Sequence, residues 1–349
     1  MRLPFRSILC NHYKHTSFLS LFNPIQLKHH QPPPPTTTIQ MNTFSSAAYA
    51  RLRRRRVKEK DQKLVIVMGP TGSGKSGLSI ELGTYFPSEI INSDKIQLYK
   101  GLDITTNKIP VIERLNIPHY LLDEIDPKKQ PELTPLQYRL RASSVISGIS
   151  SRRKLPLLVG GSNSLIYALL SDRFNPDLDP FSGSDPVCSE LRYKCCFLWI
   201  DVSLPVLNEY LIKRVDDMLD SGMVSELAKF YESEVDELAP NTGLTKAIGV
   251  PEFERYFRCA SANAHQRDDQ VLRGVYDEAV KNIKDNTCQL AKIQMEKIQR
   301  LRNAGWGLHR IDGTDTFRAV LDGSKNWSDI WEKQVVNPSI KIVNNFLEE

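Results

Sequence analysis

Four short apolar runs punctuate the chain between residues 63 and 203, and segments of helical spacing separate them. The runs are KLVIVMG (Lys63–Gly69), EIINSD (Glu89–Asp94), KLPLLVGG (Lys154–Gly161) and CCFLWIDVS (Cys195–Ser203). Each is apolar nearly throughout rather than alternating, which predicts strands buried on both faces. Between them, SGLSIELGTYF after Lys75, PLQYRLRASSVISGISS opened by Pro135, and SNSLIYALL carry helical spacing. Further helices are expected at Pro205–Asp220 and Met223–Tyr231. A long helical pattern runs from about Asp268 to Ala304 and stops at Gly305. WGLHRIDGTD adds one more short strand, and the Pro-, Asp-, Ser- and Gly-rich stretch Phe174–Tyr193 reads as a surface loop. Strands alternating with helices predict an α/β fold with a parallel sheet covered on both faces.

Charge changes the picture of the N-terminus. The 349-residue chain carries a net charge of +5, with 40% hydrophobic and 25% charged residues. Ten of the 46 basic residues and none of the 41 acids precede Glu59, so the remainder holds 36 basic residues against 41 acidic ones, a net of −5. The basic character belongs to a tail over residues 1–58. Its Arg, Ser, Thr and Pro content without acids is that of an organelle transit peptide, plastid ahead of mitochondrion, with a disordered tail on a cytoplasmic protein as the alternative. The mildly acidic remainder gives no support for a nucleic-acid partner. There is no run of 18 apolar residues to span a membrane. The six cysteines (Cys10, Cys188, Cys195, Cys196, Cys259, Cys288) form no C-x-x-C pair, which suggests a reduced compartment.

The first apolar run ends in Gly69-Pro70-Thr71-Gly72-Ser73-Gly74-Lys75-Ser76, a Walker A pattern with a strand before it and a helix after it. Glycines let the backbone curl around an oxyanion so that N–H groups point inward. The following helix adds partial positive charge, Lys75 adds a full one, and the Ser76 hydroxyl suits Mg²⁺. The expected architecture is therefore a P-loop NTPase-like α/β core formed by residues 59–205 with 268–349, plus a smaller mainly helical subdomain over 206–267 that covers the substrate. The pattern predicts a bound di- or triphosphate without saying which. Asp201, after CCFLWI, is either a metal-holding acid or a strand-end residue.

A second stretch narrows the choice. INSDKIQLYKGLDITTNKIP, taken with GPTGSGKS, LVGGSNSLIYALL, GLTKAIGVPEF and NTCQLAKIQMEKIQRL, resembles the isopentenyltransferases that prenylate adenine, above all the plant adenylate isopentenyltransferases that make cytokinin precursors. The likeness covers roughly Leu64 to Leu321. It implies transfer of a dimethylallyl group from dimethylallyl diphosphate to N6 of the adenine of ADP or ATP, with AMP possible, and release of diphosphate. The cradle then holds the donor's diphosphate. N6 is a poor nucleophile because its lone pair is delocalised, and a carboxylate accepting its N–H localises that pair and takes the proton. Asp94, at the end of a strand expected beside the P-loop strand, is the candidate base.

The same likeness implies nucleotide contacts for Ser93, Lys95 and Gln97, for Gly160, Gly161, Ser162 and Asn163, and for the cations Arg139, Arg214, Lys246 and Lys292. One departure stands out: Gln137-Tyr138 occupies the place where many members have an acid and Phe. The close alternative is a tRNA dimethylallyltransferase acting on an anticodon-loop adenosine. Against it stand the acidic folded part, the absence of cysteines after Cys288 for a zinc module, and Lys95 directly after the Asp. The remote alternative is a P-loop small-molecule kinase. A monomer is expected.

Overall fold

A computed structural model of the chain describes residues 59–349 apart from 184–186, 234–237, 239, 241 and 262–268. The basic tail, and the organelle reading that rests on it, lie outside the described residues. Among the described residues six strands are formed: β1 (Lys63–Met68), β2 (Ser88–Asn92), β3 (His119–Tyr120), β4 (Leu155–Gly160), β5 (Lys194–Asp201) and β6 (Leu308–Asp312). They make one sheet in the order β3-β2-β4-β1-β5-β6, with every neighbouring pair parallel. The helices in chain order are α1 (Lys75–Tyr85), α2 (Pro135–Ser151), α3 (Asn163–Leu170), α4 (Leu204–Asp220), α5 (Met223–Ser233), α6 (Val250–Ser261), α7 (Asp269–Asn303), α8 (Thr314–Leu321), α9 (Trp327–Trp331) and α10 (Asn337–Glu348).

The apolar runs behave as the covered-on-both-faces reading requires. Leu64, Ile66 and Met68 of β1 face a core with Tyr138 and Ile146 of α2 and Ile166 of α3. Val65 and Val67 face the opposite core with Leu78 and Leu82 of α1, Leu211 of α4 and Phe317 of α8. Successive side chains of a strand point to opposite faces, so a strand apolar at every position needs a layer on each side. α4 serves both layers: Leu207, Tyr210 and Leu211 pack on the sheet, while Val215 and Met218 join Met223, Leu227 and Phe253 in the other cluster. It bridges the sheet and the helical segment.

Two local expectations need correction. β2 is flanked by β4 and β3, so the strand that leads to Asp94 is one place removed from β1. The chain leaves β1 through α1 to β2, and β4 later inserts between them, a crossover that no local pattern encodes. The strand also ends at Asn92, leaving Asp94 in the turn beyond it. Tyr138 and Gln137, the departing pair, have structural work. Thr134 and Gln137 form a capping box at the start of α2, which Gln completes as well as an acid does. The Tyr138 hydroxyl donates to Asn92 O at 2.9 Å.

Candidate active site

The carboxyl ends of β1 and β4 border a crevice, and the glycine loop after β1 closes one wall of it. Gly74 sits at φ 86°, and a Cβ there would stand 2.6 Å from the Trp331 ring, so the left-handed turn and the packing both exclude a side chain. The Lys75 ammonium donates to Pro70 O at 2.7 Å, folding back along the loop. Thr71 is held from outside the loop. Its N–H donates to Gln294 Oε1 at 2.6 Å, and its hydroxyl accepts from Arg214 at 3.2 Å. Lys75 and Arg214 thus converge on one loop, and Arg214 Nε and Ser73 Oγ are buried without a hydrogen-bond partner. Burial pushes the Lys75 ammonium down to about 8; the Asp94 charge opposes that fall and Arg214 adds to it. Burial also lowers Arg214. Both are cations poorly solvated in the absence of an anion.

Asp94 faces this loop across the crevice. Its Oδ1 accepts the N–H groups of Ile96 at 3.0 Å and Gln97 at 3.3 Å. That fixes the carboxylate and leaves Oδ2 open to the cavity, with no hydrogen-bond partner among the described residues. The backbone beneath is clamped. Ser93 N–H donates to Val159 O at 2.7 Å, Ser162 N–H donates to Ser93 O at 3.1 Å, and Lys95 N–H donates to Ser162 Oγ at 2.8 Å. A Cβ on Gly160 would lie 2.2 Å from Ser93 O, so this close approach demands glycine. Asn92 Nδ2 donates to Leu121 O at 2.8 Å, tying the same turn to the loop after β3. Gln97 is committed through Nε2 to Thr106 O and Asn107 O.

The cavity has two arms. One, of about 100 Å³, is lined by Gly72, Gly74, Lys75, Ser76, Asn92, Asp94 and Gly160. The other, of about 240 Å³, shares Thr71, Asp94, Gln97 and Arg214 and continues between Ile96, Met218, Ile248, Ile283 and Leu290 to Lys246. Asp94 lies where the arms meet. A glycine loop, a fixed carboxylate and an apolar arm therefore adjoin, with Asp94, Thr71, Gln97 and Arg214 common to both cavities, an arrangement suited to proton abstraction beside a departing phosphate group.

Several residues expected near substrate are brought here and others are not. Asn163 donates through Nδ2 to Gln294 O at 3.1 Å, and its Oδ1 is buried and unpaired. Gly161 backs directly onto the Gln294 side chain. Arg139 is elsewhere: its guanidinium donates to Ala168 O and Ser171 O at the carboxyl end of α3 and lies over the Phe174 ring. Lys292 is exposed on α7, and neither arm of the cavity includes it. Lys95 and Lys246 share one carboxylate, Glu132, at 2.8 and 3.0 Å. Asp201 is taken up by Arg310 at 2.6 Å, which favours its strand-end reading.

Gln294 and Glu132 escaped the sequence reading. Gln294 had a usable signal, since α7 buries Val275, Ala279, Ile283, Thr287, Ala291, Gln294, Ile298 and Leu301. An amide on an otherwise largely apolar helical stripe asks for a polar partner. Glu132 had none, because it stands in a loop among other charges.

Comparison with known proteins identifies the family. The IPP transferase family model matches residues 97–186 and 177–300. An adenylate isopentenyltransferase of Humulus lupulus is 55% identical, over 81% of this chain and 90% of its own length. A chloroplastic adenylate isopentenyltransferase of Arabidopsis thaliana is 49% identical over 85% and 84%, and a mitochondrial one is 42% identical over 82% and 79%. Among solved structures, a eukaryotic dimethylallyltransferase acting on tRNA has the same fold, with a TM-score of 0.65, 24% identity and coverage of 82% and 80%. A tRNA isopentenylpyrophosphate transferase of Staphylococcus epidermidis gives 0.62, 22%, 82% and 100%.

Proposed function

The chain belongs to the IPP transferase family that includes the adenylate isopentenyltransferases, and from that premise we propose that it transfers the dimethylallyl group of dimethylallyl diphosphate to N6 of the adenine of ADP or ATP, releasing diphosphate. The observation that carries this reading is Asp94: one oxygen fixed by two backbone N–H groups, the other open at the junction of a phosphate cradle and an apolar arm.

The donor's diphosphate lies against the loop from Gly72 to Ser76. Lys75, Arg214 and the amino end of α1 stabilise the charge that grows on the leaving oxygen as the allylic C–O bond breaks. N6 attacks the allylic carbon, and its proton passes to Asp94 Oδ2 as the C–N bond forms. Oδ1 is held by the two backbone N–H groups, which orients the carboxylate and leaves its other oxygen available as a base. Holding both partners in this geometry contributes roughly 7–11 kcal/mol of barrier lowering at most. The acceptor enters by the apolar arm, its base against Ile96, Met218 and Ile248 and its phosphates toward Lys246.

Mg²⁺ fits the donor set, since the ion keeps several waters and needs few protein oxygens beside substrate phosphates. Ser76, in the first turn of α1, lines the cradle and is the residue that would hold it, and the ion when bound would neutralise diphosphate charge. A plastid location draws support from the acid-free basic tail and from relatives named chloroplastic.

The test is to incubate the full chain with ATP, Mg²⁺ and dimethylallyl diphosphate and weigh the products. A nucleotide heavier by one C5H8 unit is expected. Asp94→Asn should lower turnover by about 10²–10⁴-fold while nucleotide binding is retained. Turnover that needs tRNA and ignores free ADP and ATP, or an Asp94→Asn variant with full activity, would refute the assignment.

A further inference from the structure

Glu132 occupies a seat built for an anion. Its Oε1 lies 2.8 Å from Lys95 Nζ, and Lys246 Nζ approaches Oε1 and Oε2 at 3.2 and 3.0 Å. The N–H of Gly243 donates to Oε2 at 3.3 Å. The backbone on either side is fixed. Leu133 N–H donates to the Tyr99 hydroxyl at 2.8 Å, and Pro131 O lies 2.1 Å from where a Cβ on Gly243 would stand. Burial raises the Glu132 carboxyl, but hydrogen bonds from Lys95 and Lys246 outweigh that and bring it down to about 2. It is charged at any working pH.

The position of this cluster gives it a consequence for the reaction. Lys95 directly follows Asp94, and Lys246 lines the apolar arm. Among the described residues the charged ones lining that arm are Asp94, Arg214 and Lys246, and Arg214 is turned toward the cradle through Thr71. An acceptor with its base at Asp94 and its tail pointing outward therefore meets Lys246 and, beside it, Glu132.

We propose that Glu132 sets the acceptor's charge preference: it is a built-in carboxylate in the seat made by Lys95, Lys246 and Gly243 N–H, so that acceptor phosphates must share the two lysines with it. The inference rests on the transfer reading above. With Glu132 ionised, the two lysines and the acid sum to a single positive charge. A glutamine keeps the shape and the contact to Gly243 while leaving both lysine charges uncompensated. ATP carries about two more negative charges than AMP, since each phosphoryl group adds roughly one. Removing the acid therefore strengthens ATP binding more than AMP binding. Lys95, Glu132 and Lys246 side chains are 36%, 34% and 39% exposed, so salt screens the effect.

Equilibrium binding of ATP and of AMP, without prenyl donor, to the full chain and to Glu132→Gln tests it. The ratio of the AMP to the ATP dissociation constant should rise about fivefold in Glu132→Gln at low salt, the order expected of one unit charge across a partly solvated separation, and the gain should shrink at high salt. A ratio that is unchanged or smaller overturns the inference, because a merely structural role would weaken both nucleotides alike. Should Glu132→Gln fail to fold, Lys246→Met decides: there the ratio must fall, and no change or a rise overturns the inference. If wild-type protein binds neither nucleotide, the transfer reading falls as well. If both bind but the ratio ignores these charges, only the role of Glu132 is lost.

Discussion

Lys75 shows how one residue's surroundings become a pH dependence. Burial holds its ammonium at about 8, well under the ordinary 10.5. A diphosphate in the loop favours the charged form and raises that value, so binding above pH 8 takes up a proton. Donor affinity should be flat below pH 8 and fall above it, by up to about tenfold per pH unit. A plot of donor KM against pH at saturating acceptor checks this, and a KM constant to pH 10 would contradict it. At this scale much was legible. The loop from Gly69 to Ser76 and Asp94, which the structure brings to one cavity, could be proposed from sequence because the chemistry asked of them depends on local spacing. Arg139 and Lys292 could not be sorted from Arg214 and Lys246, since a cation's role lies in where its long side chain ends. Arg139 ends on the carbonyls of α3; Arg214 ends on Thr71.

At the scale of elements, the site depends on one contact between strand ends. Gly160 closes β4 against the backbone of Ser93, which carries Asp94. Gly160→Ala forces these apart. It should destabilise the protein by about 1–3 kcal/mol, the usual cost of overpacking. It should also lower kcat more than donor KM, because Asp94 moves while the glycine loop after β1 does not. Urea unfolding and steady-state kinetics separate the two effects, and a variant with native kcat would show that the clamp does not position the acid. The long elements were readable: α2, α7 and the four apolar strands fall within a few residues of where periodicity puts them. β3, two residues long, carries too little sequence to have a period. The place of β2 beside β4 depends on a crossover that no local pattern specifies.

Across the whole molecule, the far end of the chain supports the glycine loop after β1. Trp331, buried in α9, fills the space beside Gly74, and the helical segment it belongs to runs on through Val335 and Val336 into α10. Trp331→Ala should cost about 3–5 kcal/mol, as large aromatic truncations in cores do. Because the cavity opens directly under the loop, diphosphate affinity should fall too. Chemical denaturation with a parallel measurement of diphosphate binding checks both. Loss of stability with unaltered binding would mean that the loop holds its shape without the ring. The charge of the molecule acts at this scale as well: net −5 beyond residue 58 makes a large RNA footprint costly, while a nucleotide needs only the few cations around the cavity.

The amino-acid order alone determined the layered α/β class, the glycine loop after the first strand and the choice of Asp94 as candidate base, because buried strands, amphipathic helices and a glycine turn are each written in neighbouring residues. Tertiary structure decided which cations reach the cavity, that Gln294 and Trp331 brace the loop, and that Glu132 sits between Lys95 and Lys246. Those outcomes depend on side chains from distant segments meeting at distances of a few ångströms. Long-range strand order and helix rotation fix such distances, and local spacing carries no record of either.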